Sequence, residues 1–596
     1  MVNMRKYLTA GAAVLTTLLL VACGQKAHST GTSAKTTMLT KFSGPGHATA
    51  AGNKSTLRIA EINDAPFTGI AATSLQSNTE DADMFSPGSG NVLFNVDDNN
   101  KIIDGGLANM RLNRQAQTVT ITLRKNARWS NGSKVIARDV AYPYEIIGSP
   151  QSPSPQYSND YAAIQGMAAF HAGKAQRIAG ISLPDGAQGR RVVIRYTKMV
   201  PAMQYLGSGF VLGMVEPSAY LKDVPLDQLL SAPQIRKRPI FTGPYKLAKL
   251  VPGESTSWVP NRYYWGKQPH IKHILIQVVA TDNIVAAFKA KKYDFAYNSP
   301  GSRYPDLRKL KNYTAVGAPA HAYGYYGFNV GHFDTKTGKN VTDKGAKMNN
   351  RNLRQAMMYA LDLDAVYKKF GNGISTRGTT LIPLAFKQYH DAQNPGFKYN
   401  MAKAKRLLDA AGYKRRGDAK WRTDPQGKKL VIHYAAAKGS AASDARAQYA
   451  LQQWHKLGLN VQFTDGKLMD ANSFYSILQA PQQKQIDVYN AAWSTTGEPT
   501  PSVFYSESAA YNLSHFVSRT NTRLLAQMND NSSWNTQKRV RVFYKWQKYM
   551  NEQAVYVPDN YYLDYSMVNK RVQGYNKNPD ANRFWSDLQL TAAQPQ

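Results

Sequence analysis

Three patterns of apolar and polar positions run along the 596-residue chain. The first is a continuous apolar stretch of 15 residues, Leu8 to Ala22, preceded by Arg5 and Lys6. It is shorter than the roughly 20 residues that cross a bilayer, and a basic flank before a short apolar run predicts a signal peptide over residues 1–22. The second is strict alternation, clearest in Thr118-Val-Thr-Ile-Thr-Leu123, which predicts a half-buried strand. The third is helical spacing. Leu353, Met357 and Leu361 recur on one face, Asn350 or Asn352 can cap the start, and Gly371 can end the following turn. Asn131-Gly132 predicts a turn after Trp129, and a helix beginning near Ala137 would put Asp139 in its first turn, where a carboxylate meets the positive end of the helix dipole. The segment 452–463 reads as a helix ended by Gly458 and then a strand. Residues 24–55 fit none of these patterns. They are rich in Gly, Ser, Thr, Ala and Lys and cannot bury enough surface to offset their ordering entropy, so a disordered tether is expected over 23–55.

Length and charge narrow the possibilities. The chain beyond the tether exceeds one hydrophobic core, so two or three domains are expected. With 74 basic against 39 acidic residues the net charge is +35, which suits an anionic environment. The cations are spread along the chain without zinc-finger spacing or an RNP-like motif, so nucleic acid is not expected as a partner. Anionic cell-wall polymers or lipid headgroups fit an exported chain better, and a generally solvated basic surface without a specific partner fits equally. Cys23 is the only cysteine, which excludes an internal disulfide, a CxxC pair and a multi-cysteine metal site.

Leu20-Val21-Ala22-Cys23 resembles the lipobox of bacterial lipoproteins, which implies that Cys23 is acylated on sulfur and becomes the mature N-terminus. A second resemblance extends much further. LRKNARWSNGSKVIARDVAYPYEII, residues 123–147, resembles the signature of the peptide and nickel binding family of ABC-importer receptors, with conservative departures at Lys125, Asn126 and Asn131. FTGPYKL at 241–247, NRYYWGKQPHIKHILIQVV at 261–279, the RQAMMYALDL helix after Phe328, NMAKAKRLLDAAGYK at 400–414 with Gly412 as its C-cap, and the strand Asp487 to Trp493 resemble family segments in the same order. Together they cover most of residues 57–580, most like the large oligopeptide-binding lipoproteins of lactic-acid bacteria.

The resemblance implies a bilobal α/β binding protein with a two-segment hinge. Lobe one would combine 56–80, 195–279 and 561–596, an extra domain would occupy 81–194, and lobe two 280–560. It also implies a lipid-anchored monomer on the outer face of a Gram-positive cell membrane, which captures oligopeptides in the interlobe cleft and delivers them to ABC permease and ATPase subunits. No cofactor or metal is called for. A peptide-pheromone receptor, a surface adhesin and a binder of heme or nickel chelates are the alternatives on the same fold. An enzyme is not expected: GxSxG, HExxH and GxxxxGK[ST] are absent.

For the cleft, the resemblance points to Trp493, Thr495, Thr496, Gly497 and Glu498. Family members of the enteric type carry an aspartate three residues after this tryptophan, where it pairs with the peptide amine. Here that position is Thr496, which cannot compensate the charge. Glu498 could substitute, but as a turn residue before Pro499 it is expected to face solvent. Tyr323, Tyr325, Tyr326 and Asn329 lie on a strand that could wall the cleft; the alternative is that these tyrosines pack the lobe.

Overall fold

The computed structural model describes residues 38–88, 92–158, 160–577 and 581–596; the signal peptide and Cys23 lie outside them. The alternation at 118–123 becomes a strand with Val119, Ile121 and Leu123 buried. Thr118–Leu123 pairs with Ala108–Asn113 and Arg191–Arg195, and Ile181–Ser182 completes a four-stranded antiparallel sheet. The helix Ala137–Gly148 covers it. Asp139 ties this segment together, accepting from the Ile136 amide at 3.1 Å, the Trp129 indole at 2.9 Å and the Ser218 amide and hydroxyl at 2.9 and 2.6 Å.

A five-stranded sheet forms the first lobe, in the order Phe295–Tyr297, Thr56–Ile62, His273–Val279, Ser255–Pro260, Tyr245–Val251. Its first three strands are parallel, and Thr56–Ile62 between them is buried on both faces through Leu57, Ile59, Ala60 and Ile62, as a covered parallel strand requires. The second lobe is built on a six-stranded sheet, in the order Ser375–Arg377, Tyr556–Asn569, Tyr313–Phe328, Val488–Ser494, Val431–Ala436, Asn460–Phe463. Its helices are capped as their sequences suggest. Asn350 Oδ1 accepts from the amides of Asn352 and Leu353 to start Arg351–Tyr359, and Gly412 and Gly458 take the left-handed conformation just beyond Met401–Ala410 and Ala441–Lys456.

Two long antiparallel strands join the lobes. Tyr313–Pro319 pairs with Asn569–Leu563, the register breaks, and Tyr323–Gly327 pairs with Tyr561–Tyr556. Val316 and Val568 belong to the first lobe's core, whereas Tyr323, Tyr325 and Tyr556 belong to the second's. The crossing therefore falls at the bulge, inside the strands.

This placement shifts three boundaries from their expected positions. The extra domain does not begin at 81, because Met84 and Phe85 pack in the first lobe's core. The chain does not leave the first lobe at 280, because Phe295–Tyr297 pairs with Ile59–Glu61 and helix Ile284–Lys289 packs beside it. The extra domain continues past 194, since Val200, Met203, Val211 and Val215 complete the core under its sheet. The disorder expected over 23–55 does not hold for the part that is described, residues 38–55. Lys41–Phe42 pairs with Asn576–Tyr575, Gly44 donates to Val572 O at 2.9 Å and Thr49 to Leu590 O at 3.1 Å. Gly44 lies so close to the Lys570 carbonyl that no Cβ would fit. Backbone pairing, invisible in composition, orders this part.

Candidate functional site

Strand Val488–Ser494 pairs with Tyr313–Phe328 along its length, but its other neighbour, Val431–Ala436, stays only as far as Asn490. Ala437 then turns away to bridge Met469. From Ala491 to Ser494 that edge has no paired strand among the described residues, and Ala492 and Ser494 are exposed. The Tyr475 side chain already meets the Ala492 main chain there, and the rest of the edge offers main-chain groups to an extended segment.

The strand continues into a loop held at its base by His321, whose carbonyl accepts from the Thr495 amide at 2.7 Å and hydroxyl at 3.1 Å. The loop meets residues 205–209 of the extra domain. At Gly497 a Cβ would come 2.7 Å from Leu206 O, and at Gly207, in the left-handed region, 3.0 Å from the Gly497 amide, so the backbones touch because both positions are glycine. Beneath this contact lies a cavity of about 570 Å³, lined by both lobes and the extra domain and including Phe85, Tyr161, Val211, Met214, Phe241 and Thr496. The lining is largely apolar, and among the described residues no charged side chain belongs to it. Gln156 and Gln76 reach it with amides already spent on backbone: Gln156 Nε2 donates to Thr73 O at 2.6 Å and Gln76 Nε2 to Ile70 O at 2.9 Å. A second cavity, about 360 Å³, sits against the crossing strands and is lined by Ser299, Arg446, Tyr562 and Asp564 among others.

Glu498 does not face solvent. It is buried, its Oε1 2.5 Å from Arg539 Nη2, and Thr500 donates to it from both its amide and its hydroxyl at 2.8 Å. The turn chemistry that suggested exposure is satisfied inward, because Arg539 supplies a buried cation. This carboxylate is therefore occupied. Tyr323, Tyr325 and Tyr326 take the packing role: all three are buried, with the Tyr323 hydroxyl 2.6 Å from that of Tyr505 and the Tyr326 ring against Trp454. Trp493 stacks between Tyr325 and Phe504, with ring centres 5.7 and 4.8 Å away, on the core face of its strand and not in the cavity lining. Asn329 lies beyond the strand end and closes a turn, accepting from the Gly331 amide at 3.1 Å. Of the nine expected cleft residues, the structure brings Thr496 to the cavity and Gly497 to the contact above it.

On the first-lobe side, Glu61 and Asp83 share the Asn298 side-chain amide, at 2.6 and 3.0 Å. Burial first, and Asp83 second, push the Glu61 carboxyl well above its usual range; Asp83 is raised too, by burial.

Sequence reasoning missed the extra-domain wall, residues 206–214, and also Tyr205 and Arg539. The wall is loop without periodicity. Arg539 stands among Lys538, Arg541 and Lys545 on one helix, and nothing in that run marks it as the buried one.

The family model for bacterial extracellular solute-binding proteins, family 5, matches residues 104–513. The oligopeptide-binding protein OppA of Lactococcus lactis subsp. cremoris (strain SK11) is 38% identical over 535 residues, covering 89% of each chain. OppA of L. lactis subsp. lactis (strain IL1403) is 36% identical over 596 residues, covering 99% of each. Among solved structures, lactococcal OppA complexed with an endogenous peptide in the closed conformation superposes with a TM-score of 0.78 at 36% identity, covering 90% of this chain and all of that one.

Proposed function

The chain belongs to family 5 of the bacterial extracellular solute-binding proteins, and from that premise we propose that it is the receptor of an oligopeptide importer. It encloses peptides between its lobes, hands them to an ABC permease and is held at the outer face of the membrane by a lipid on Cys23. It performs no chemistry on the peptide. The observation that carries the reading is a cavity with no charged side chain among its described lining residues, reached at Thr496 by the loop that continues a strand whose edge has no strand partner beyond Asn490. Main-chain hydrogen bonds hold an extended peptide whatever its sequence, and apolar walls accept its side chains without demanding a charge. Oligopeptide binding by the lactococcal relatives supports the same ligand class. Lobe closure follows from the hinge: a peptide that contacts both lobes binds the closed arrangement more tightly and shifts the population toward it.

Native mass spectrometry of protein purified without refolding tests the ligand class. A heterogeneous set of copurifying peptides is expected, displaced by added peptide; a single non-peptide ligand, or none with no heat of binding for a peptide mixture, would overturn the reading. Loss of peptide uptake on deletion tests delivery, and loss of membrane retention in Cys23→Ser tests the anchor.

A further inference from the structure

Tyr205 belongs by backbone to the extra domain and by side chain to the second lobe. Its backbone bridges Lys101, the next amide donates to Asn100 O at 3.0 Å, and Val200, Met203 and Val211 around it fill the core under the extra domain's sheet. The Tyr205 side chain is instead buried in the core of the second lobe. Its hydroxyl lies 2.7 Å from that of Tyr389, and the Arg539 guanidinium sits 5.1 Å from its ring centre.

Arg539 is fixed from every side. It is 5.3 and 5.4 Å from the ring centres of Tyr389 and Phe543, pairs with Glu498, and donates to Met528 O at 2.9 Å, Thr500 Oγ1 at 2.9 Å and Asn529 Oδ1 at 3.2 Å. Asn529 Oδ1 also accepts from the Ala202 amide at 3.2 Å, a second tie to the same extra-domain segment. A third lies nearby, where Arg114 stacks 4.9 Å over Trp534.

We propose that Tyr205, seated between Arg539 and Tyr389, is a latch that holds the extra domain against the second lobe and sets how long a captured peptide stays enclosed. The proposal rests on the peptide-capture reading above. Four of these contacts join the two parts, Tyr205 with Tyr389, Tyr205 with Arg539, Ala202 with Asn529 and Arg114 with Trp534, and they are lost when the lobes separate; the other contacts of Arg539 lie within the second lobe and hold the seat in place. Opening exposes an aromatic ring and uncovers one face of a buried ion pair, and both oppose release. Contacts made only in the closed arrangement slow escape, so they act chiefly on the dissociation rate, and their loss in the empty protein does not slow encounter. Tyr205 is thus a positioning residue. It need not touch the peptide.

The test combines stopped-flow binding of a fluorescent peptide with X-ray scattering of the unliganded protein. Tyr205→Ala is expected to raise the dissociation rate roughly 10- to 100-fold, with no fall in the association rate, and to increase the radius of gyration. Tyr205→Phe keeps the ring and loses only the hydroxyl contact, so a few-fold rise is expected. Unchanged dissociation and unchanged dimensions in Tyr205→Ala would overturn the latch, as would a lowered melting temperature without a change in dissociation rate. Failure of the wild-type protein to bind any peptide would overturn the capture reading, and scattering would then still report whether Tyr205 holds the lobes together.

Discussion

Acetylating the N-terminus of a bound peptide removes a positive charge from one end of the ligand, and the response depends on whether a carboxylate waits there. If one did, enclosed by the lobes, breaking the pair would leave it buried and unpaired at a cost of about 3 to 5 kcal/mol. The candidate was Glu498. In the structure its Oε1 meets Arg539 at 2.5 Å and Thr500 Oγ1 at 2.8 Å, and its Oε2 takes the Thr500 amide at 2.8 Å. Among the described residues no charged side chain lines the cavity. What acetylation removes is then hydrogen bonding by a solvated amine, worth about 1 kcal/mol or less. Calorimetry on one peptide in free and acetylated forms measures the difference directly. A loss of about 3 kcal/mol or more would mean that a carboxylate meets the amine and that the argument from Glu498's partners is mistaken. Glu498→Gln separates the two cases further. It should leave binding nearly unchanged while lowering stability by about 3 kcal/mol, because Arg539 stays buried without its counter-charge.

Three other outcomes concern buried contacts. Arg571 and Asp294 form a fully buried bidentate pair at 2.6 and 2.7 Å, and Arg571 also donates to Thr56 O and Ala592 O, joining strand Thr56–Ile62 to the chain's last segment. Arg571→Ala should cost about 3 to 5 kcal/mol in denaturant unfolding. Glu61 holds its proton in the folded state at pH values where the unfolded chain has released it, so stability should fall as pH rises from about 4.5 through the raised folded value. Glu61→Gln should flatten that fall in melting temperatures taken at pH 5 and pH 8 and gain about 1 to 3 kcal/mol at the higher pH. Trp493→Ala removes a ring stacked on Tyr325 and Phe504, so unfolding should show a loss of about 2 to 4 kcal/mol, while calorimetry shows peptide affinity changed by less than about 1 kcal/mol.

Local rules carried the sequence reading where a feature closes within one segment. The alternation at 118–123, the turn at Asn131-Gly132, Asp139 in its first helical turn and the glycine caps at 412 and 458 each need only neighbours in the chain. The reading failed where the partner is remote. Glu498 meets Arg539 across 41 positions, and Gly44 meets Val572 across more than 500. Turn propensity at Glu498 and loop composition around Gly44 describe those segments correctly as local objects. What they lack is the cation or the strand edge that turns them inward. The tyrosines show the same limit in another form. A strand with Tyr323, Tyr325 and Tyr326 looks equally suited to a wall or a core, and only the helices packed on it, bringing Trp454 and Tyr505, decide for the core.

The charge of the chain and the chemistry of its cavity are separate. A net charge of +35 contributes no side chain to the lining of the larger cavity, so the basic surface acts at a distance and is screened by salt, whereas contacts under the roof are not. If neither end of the peptide is fixed by an ion pair in that cavity, the free energy that keeps the lobes shut has two sources left. One is hydrogen bonding along the Ala491–Ser494 edge, which every extended peptide makes alike. The other is contact between the lobes themselves, concentrated at Tyr205, Asn529 and the Gly207–Gly497 approach. Neither source reads side chains. On the proposed reading, a receptor built this way would bind dissimilar peptides with similar affinity, because its closure would be stabilised mainly by its own residues, and a peptide would need only to be extended and thin enough to let the two glycines meet.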